Sequence, residues 1–160
     1  MPKALSVKLV DRRDFMLGAS AAALIAGLVA AAPLANAAEH SADFEAAFAA
    51  LLKGASPTEG GIEMDLPVNV ENGDYVPVAL SVASPMTREN HVKAIHLLST
   101  ANPRADVATF HFTLLSGKAR VTSRMRLAKT QQVVAIAELS DGTFLMSTRL
   151  VDVKIGGCGI

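Results

Sequence analysis

From Ile62 onward the chain alternates apolar and polar residues with a period of two, the pattern of strands with one face buried. Ile62, Met64 and Leu66 alternate with Glu63 and Asp65. Val76, Val78, Leu80 and Val82 alternate with Pro77, Ala79 and Ser81. His91 to Leu98 reads as a further strand, with Asn102-Pro103 as the turn after it. Ala108, Phe110, Phe112 and Leu114 oppose Thr109, His111 and Thr113, and Val121, Met125 and Leu127 oppose Arg120, Thr122, Arg124 and Arg126. Val133 to Leu139 is nearly all apolar, so it is either a core strand or an apolar sheet face offered to a partner. Phe144 to Ile155 forms the last strand. Asn72-Gly73 and Asp141-Gly142 carry hairpin signals.

Ahead of the strands the period is helical. Ser41 can cap a short helix with Asp43 and Glu45 in its first turn. Phe44, Phe48, Leu51 and Leu52 form an apolar stripe, and Gly54 and Pro57 end the helix. The stripe is read as core packing rather than as a face for a partner helix. Six or seven short strands with turns about every ten residues predict an all-β fold, an immunoglobulin-like β-sandwich with a short N-terminal helix.

The first forty residues follow neither period. Arg12 and Arg13 precede Asp14, and from Phe15 to Ala38 there is no charge. The stretch is rich in Ala and Gly and closes with Pro33 and Ala35-Asn36-Ala37, the small-x-small pattern of a signal cleavage site. It resembles a twin-arginine signal peptide, which implies export of a folded protein to the bacterial periplasm. A membrane anchor is the alternative for about twenty apolar residues, but the paired arginines, Pro33 and the cleavage site favour removal. The expected division is residues 1–37 as signal, 38–155 as the domain and 156–160 as a tail.

Charge and cysteine content narrow the function. Of 160 residues, 15 are Lys or Arg and 15 Asp or Glu. Loss of residues 1–37 removes four basic and two acidic residues, leaving a net charge of −2. That balance argues against binding nucleic acid or an anionic membrane surface. A single cysteine excludes a disulfide-stapled fold and a cysteine-based zinc cluster.

That cysteine is Cys158, in the terminal run Lys154-Ile155-Gly156-Gly157-Cys158-Gly159-Ile160. Gly156, Gly157 and Gly159 predict a flexible arm that does not dock as core, because glycine leaves the backbone its widest range. Ile155 to Cys158 would span about 10 Å fully stretched. Such an arm provides no fixed base or oxyanion donor, so it suits a covalent handle rather than a catalytic site. The terminal carboxylate disfavours a thiolate, so activation would come from the enzyme visited. An exposed thiol is a liability in an oxidising compartment, which argues against an incidental residue. A structural module cross-linked through Cys158 is the rival reading, and an enzyme acting on small thiols is the third. Prenylation fails because only two residues follow the cysteine.

At these residues the chain resembles the SoxY family of sulfur carriers. The resemblance rests on Ile62 to Leu66 with Pro67, Glu71-Asn72-Gly73 with Val76-Pro77-Val78, and Asn102-Pro103. It continues through Thr122 to Ala128, Thr130-Gln131-Gln132-Val133 and Asp141-Gly142 to the terminal Val153 to Gly159. It implies a non-enzymatic periplasmic carrier with no metal or organic cofactor, bearing thiosulfate-derived sulfur covalently on Cys158. It further implies a heterodimer with a SoxZ-like subunit. The haem enzyme SoxAX would load the arm, SoxB would release sulfate, and SoxCD would oxidise the remaining sulfur. The family ends Gly-Gly-Cys-Gly-Gly, whereas this chain ends in Ile160. A branched tip can hinder entry to a narrow channel, so the departure bears on which enzyme reads the arm.

The remaining polar residues carry less. His91, His96 and His111, with only Glu89 near, have no metal-ligand spacing and are read as surface or half-buried residues. Arg120, Arg124 and Arg126 line one strand face, a solvated surface or a contact for an acidic partner.

Overall fold

Helix α1 spans Ala42–Leu52 in the computed structural model, which describes residues 40–157. The expected signal segment, with Arg12 and Arg13, and the terminal Cys158, Gly159 and Ile160 lie outside the described residues. The helix starts as its sequence dictates. Ser41 is extended, and its hydroxyl accepts the Phe44 N–H at 3.1 Å. Asp43, in the first turn, accepts the Ala105 N–H at 2.6 Å and ties the helix to the loop after the fifth strand. Lys53 in the left-handed region ends it.

Among the described residues nine strands follow: β1 Thr58–Glu59, β2 Ile62–Asp65, β3 Asn69–Asn72, β4 Val76–Val82, β5 Val92–Ser99, β6 Asp106–His111, β7 Ala119–Met125, β8 Gln131–Leu139 and β9 Phe144–Ile155. They form two sheets. The larger runs β1-β9-β8-β5-β6, with β3 added beside β9, and the smaller runs β2-β4-β7. Among the described residues only β1 and β3 pair in parallel, both with β9. The all-β expectation with a short N-terminal helix holds.

The core lies between the sheets. Val76, Val78, Leu80 and Val82 of β4 face Val133, Ala135 and Ala137 of β8 and Val151 of β9. Along β8 the alternate residues Val134 and Ile136 point the other way, under Phe44 and Leu52 of α1. The apolar run Val133 to Leu139 is therefore explained within the chain, because α1 covers the face that a sandwich strand would leave polar. The helical stripe is core, as expected. A helix and two sheets thus form three layers, with β8 buried on both faces.

Two local expectations differ. Asn72-Gly73 does not close a hairpin: β3 pairs with β9, whereas β4 belongs to the smaller sheet, so the turn passes the chain between layers. The alternation through Leu114 outlasts its strand. β6 stops at His111, and Leu114–Ser116 forms a single 3-10 turn in which Leu115 is 98% exposed. The short strands β1 and β3 carry no alternation of their own. Asp141-Gly142 does close the β8–β9 hairpin, with Glu138 opposite Phe144 and Gly142 at φ 85°.

Candidate functional site: the seat of the C-terminal tail

β9 ends at Ile155, and Gly156 and Gly157 just past it are held. Gly73 N–H donates to the Ile155 carbonyl at 2.8 Å, Leu127 N–H to the Gly73 carbonyl at 2.9 Å, and Gly157 N–H to the Leu127 carbonyl at 2.8 Å. Three distant segments are joined by backbone alone: the β3–β4 turn, the β7–β8 loop and the tail. The approach is so close that side chains do not fit. A methyl group on Gly73 would overlap the Leu127 carbonyl oxygen, one on Gly156 the Ala128 carbonyl, and one on Gly157 the backbone of Gly73 and Asp74.

Of the expected arm only Gly156 and Gly157 are described: Gly156 is exposed, Gly157 is buried, and both lie against neighbouring backbone. At these two positions glycine serves close approach rather than freedom. Cys158 and Gly159 lie outside the described residues.

A buried polar network stiffens the seat from behind. Asn102 donates from Nδ2 to the Arg126 carbonyl at 2.9 Å, and its Oδ1 accepts the Ala128 N–H at 2.9 Å. Gln131 donates from Nε2 to the same Oδ1 at 2.7 Å, and its Oε1 accepts the Ala101 N–H at 2.8 Å. Both side chains are buried, so each lost bond would leave an unsatisfied group. Asn102 thus holds the residues on either side of Leu127, and Gln131 holds Asn102. Thr130 accepts the Val153 N–H at 3.0 Å and donates to Asp152 Oδ1 at 2.7 Å, clamping β9 just before the seat. At the rim, Lys154 pairs with Glu71 at 2.8 Å, and the Arg124 guanidinium stands 5.4 Å over the ring of exposed Tyr75.

Sequence reasoning missed Gly73, Asn102 and Gln131 as parts of one structure. Their signal was present, since each lies in a stretch that carries the family resemblance, yet nothing in their spacing shows that the stretches meet.

The histidines do not assemble a site. His91 Nδ1 contacts the Thr87 carbonyl at 3.0 Å, and His96 Nδ1 the Thr109 hydroxyl at 3.0 Å. His96 Nε2 is buried without a hydrogen-bond partner. Burial lowers the His96 pKa below its ordinary 6.5; Glu138 opposes that shift, His111 adds to it, and Asp106 opposes it. Among the described residues no group of three or more His, Cys, Asp or Glu is placed to hold a metal ion. Arg120 and Arg124 point outward from β7, and Arg126 is exposed just past that strand.

Fold and site together define a small two-sheet sandwich that holds Gly156 and Gly157 against two of its loops. The chain belongs to the SoxY family: the family model for "Sulfur oxidation protein SoxY" matches residues 48–158. Among solved structures it is similar to the sulfur carrier protein SoxY from Chlorobium limicola f thiosulfatophilum. Identity is 30%, over 71% of this chain and 97% of that one, with a TM-score of 0.59. It also resembles a superoxide reductase (neelaredoxin) from Ignicoccus hospitalis, at 18% identity over 65% of this chain and 86% of that one, TM-score 0.54. A superoxide reductase from Nanoarchaeum equitans is 11% identical over 59% of this chain and 98% of that one, TM-score 0.51. These two likenesses concern the fold alone. No curated protein sequence matches the chain. No helix among the described residues is long and apolar enough to cross a membrane.

Proposed function

We propose that the protein is a periplasmic sulfur carrier, exported through the twin-arginine route, that holds thiosulfate-derived sulfur covalently on Cys158. The observation that carries this reading is the family match, which runs through the domain to Cys158 itself. The seat supports it, because the domain grips Gly157, the residue directly before its only thiol.

The chemistry is borne by the thiol and driven by others. In loading, the thiol sulfur bonds to the terminal sulfur of thiosulfate. One proton is released, and two electrons leave to an external acceptor, the haem of a SoxAX-like enzyme. In unloading, water attacks the outer sulfone sulfur; the sulfur–sulfur bond breaks, sulfate departs and a persulfide remains on Cys158. A SoxCD-like enzyme would oxidise that persulfide sulfur. The carrier itself is not an enzyme and supplies no metal or organic cofactor. Its constant partner is a SoxZ-like subunit in a heterodimer.

Mass spectrometry of protein purified from thiosulfate-grown cells is the test. Adducts of thiosulfonate and persulfide mass on the C-terminal peptide, absent in Cys158→Ser, are expected. An unmodified peptide throughout, with a reducible homodimer retaining function, would establish the cross-linking module instead.

A further inference from the structure

Three glycines meet at the seat, and each is required there for space. A tail whose glycines served only mobility would have no use for Gly73, which stands on another turn and whose added methyl would strike the Leu127 carbonyl. The hydrogen bonds agree: the Gly157 N–H is spent on Leu127 and the Ile155 carbonyl on Gly73. The Leu127 carbonyl is in turn backed by Asn102 through the residues on either side of it.

We propose that Gly157, not Ile155, is the pivot of the sulfur-bearing arm, and that Gly73 is a positioning residue that latches it. The inference rests on the carrier reading for its purpose, though not for its geometry. The Cα of Cys158 is about 3.8 Å from that of Gly157 across a trans peptide. A latched Gly157 therefore holds the residue before the thiol against Gly73 and Asp74 of the β3–β4 turn, instead of leaving the chain free from Ile155 onward. Visiting enzymes must either fit against that turn or open the latch. Opening it releases Gly156 and Gly157 together, since each donates to or abuts the same β7–β8 loop.

The test uses the purified, fully reduced protein. Its readouts are exchange of the amide at position 157 and alkylation of Cys158 by N-ethylmaleimide and by a bulky polyethylene-glycol maleimide. The comparison is a synthetic peptide of residues 153–160. In the protein the amide at 157 should exchange at least about tenfold more slowly than in the peptide, a factor equal to 1.4 kcal/mol and within the range of one net backbone hydrogen bond. The ratio of bulky to small alkylation should lie below that of the peptide. Gly157→Ala and Gly73→Ala should each erase the protection and raise the ratio to the peptide's value. Gly157 lies past the last strand, so Gly157→Ala keeps the test intact if Gly73→Ala fails to fold.

An amide at 157 that exchanges at the peptide rate overturns the latch. So does an alkylation ratio that is equal in the protein, in Gly157→Ala and in the peptide. Absence of sulfur adducts on Cys158 would instead overturn the carrier reading and leave both readouts of the latch in place.

Discussion

Gly142 and Gly73 both sit in tight turns between strands, yet they are glycines for opposite reasons. Gly142 closes the β8–β9 hairpin at φ 85°, with nothing within 4 Å of where a methyl would point. Gly73 has no such dihedral demand, but its surroundings leave no room: Leu127, Gly157 and Val153 crowd the same point. One turn needs a conformation and the other needs a vacancy. The difference shows which turn is merely a connection and which joins three parts of the molecule.

The contrast can be broken by substitution. Gly73→Ala forces overlap with backbone that cannot swing away, and a loss of about 2–3 kcal/mol in urea unfolding is expected. A loss below that of Gly142→Ala would show that the seat yields. Asn102→Ala comes next, at about 2 kcal/mol, because it removes the partners of the Arg126 carbonyl and the Ala128 N–H and one of the two acceptors of the Gln131 amide. The same measurement checks it, with an unchanged denaturant slope confirming that only stability moved. Gly142→Ala should cost about 1 kcal/mol, the strain of a left-handed dihedral in open space.

The smallest effect expected is one of pH. Burial holds the His96 pKa below 6.5, so the unfolded chain binds this proton more readily than the folded one. Stability is therefore full above that value and falls as pH drops below it. Glu138, itself paired with Lys93 at 3.0 Å, faces this imidazole together with His111 and Asp106. His96→Gln should flatten the decline in unfolding midpoint between pH 7 and 5; an unchanged decline would assign it to other groups.

Much of the fold was legible where a strand buries one face. Ile62 to Asp65 and Val76 to Val82 matched their alternation, and the capped helix matched Ser41 and its apolar stripe. β1 and β3 were not legible. Their side chains are largely exposed, and pairing with β9 through backbone groups leaves no trace in residue type. Turn chemistry likewise reports a local bend, not which strands it joins, so Asn72-Gly73 was read as a hairpin. The site was half legible. The Cys158 tail stands out by composition, whereas the seat beneath it depends on Gly73, Asn102 and Gln131, which lie far apart along the chain. Glycine carries two meanings, and only the positions of its neighbours tell them apart.

One consequence follows from β9 lying between β8 on one side and the parallel strands β1 and β3 on the other. Its hydrogen bonds run across the strand direction. A tug applied at the chain end therefore acts along the strand and strains many bonds in shear at once, instead of peeling them one by one. Under such a load the single bond at Gly157 yields first and the sheet behind it holds.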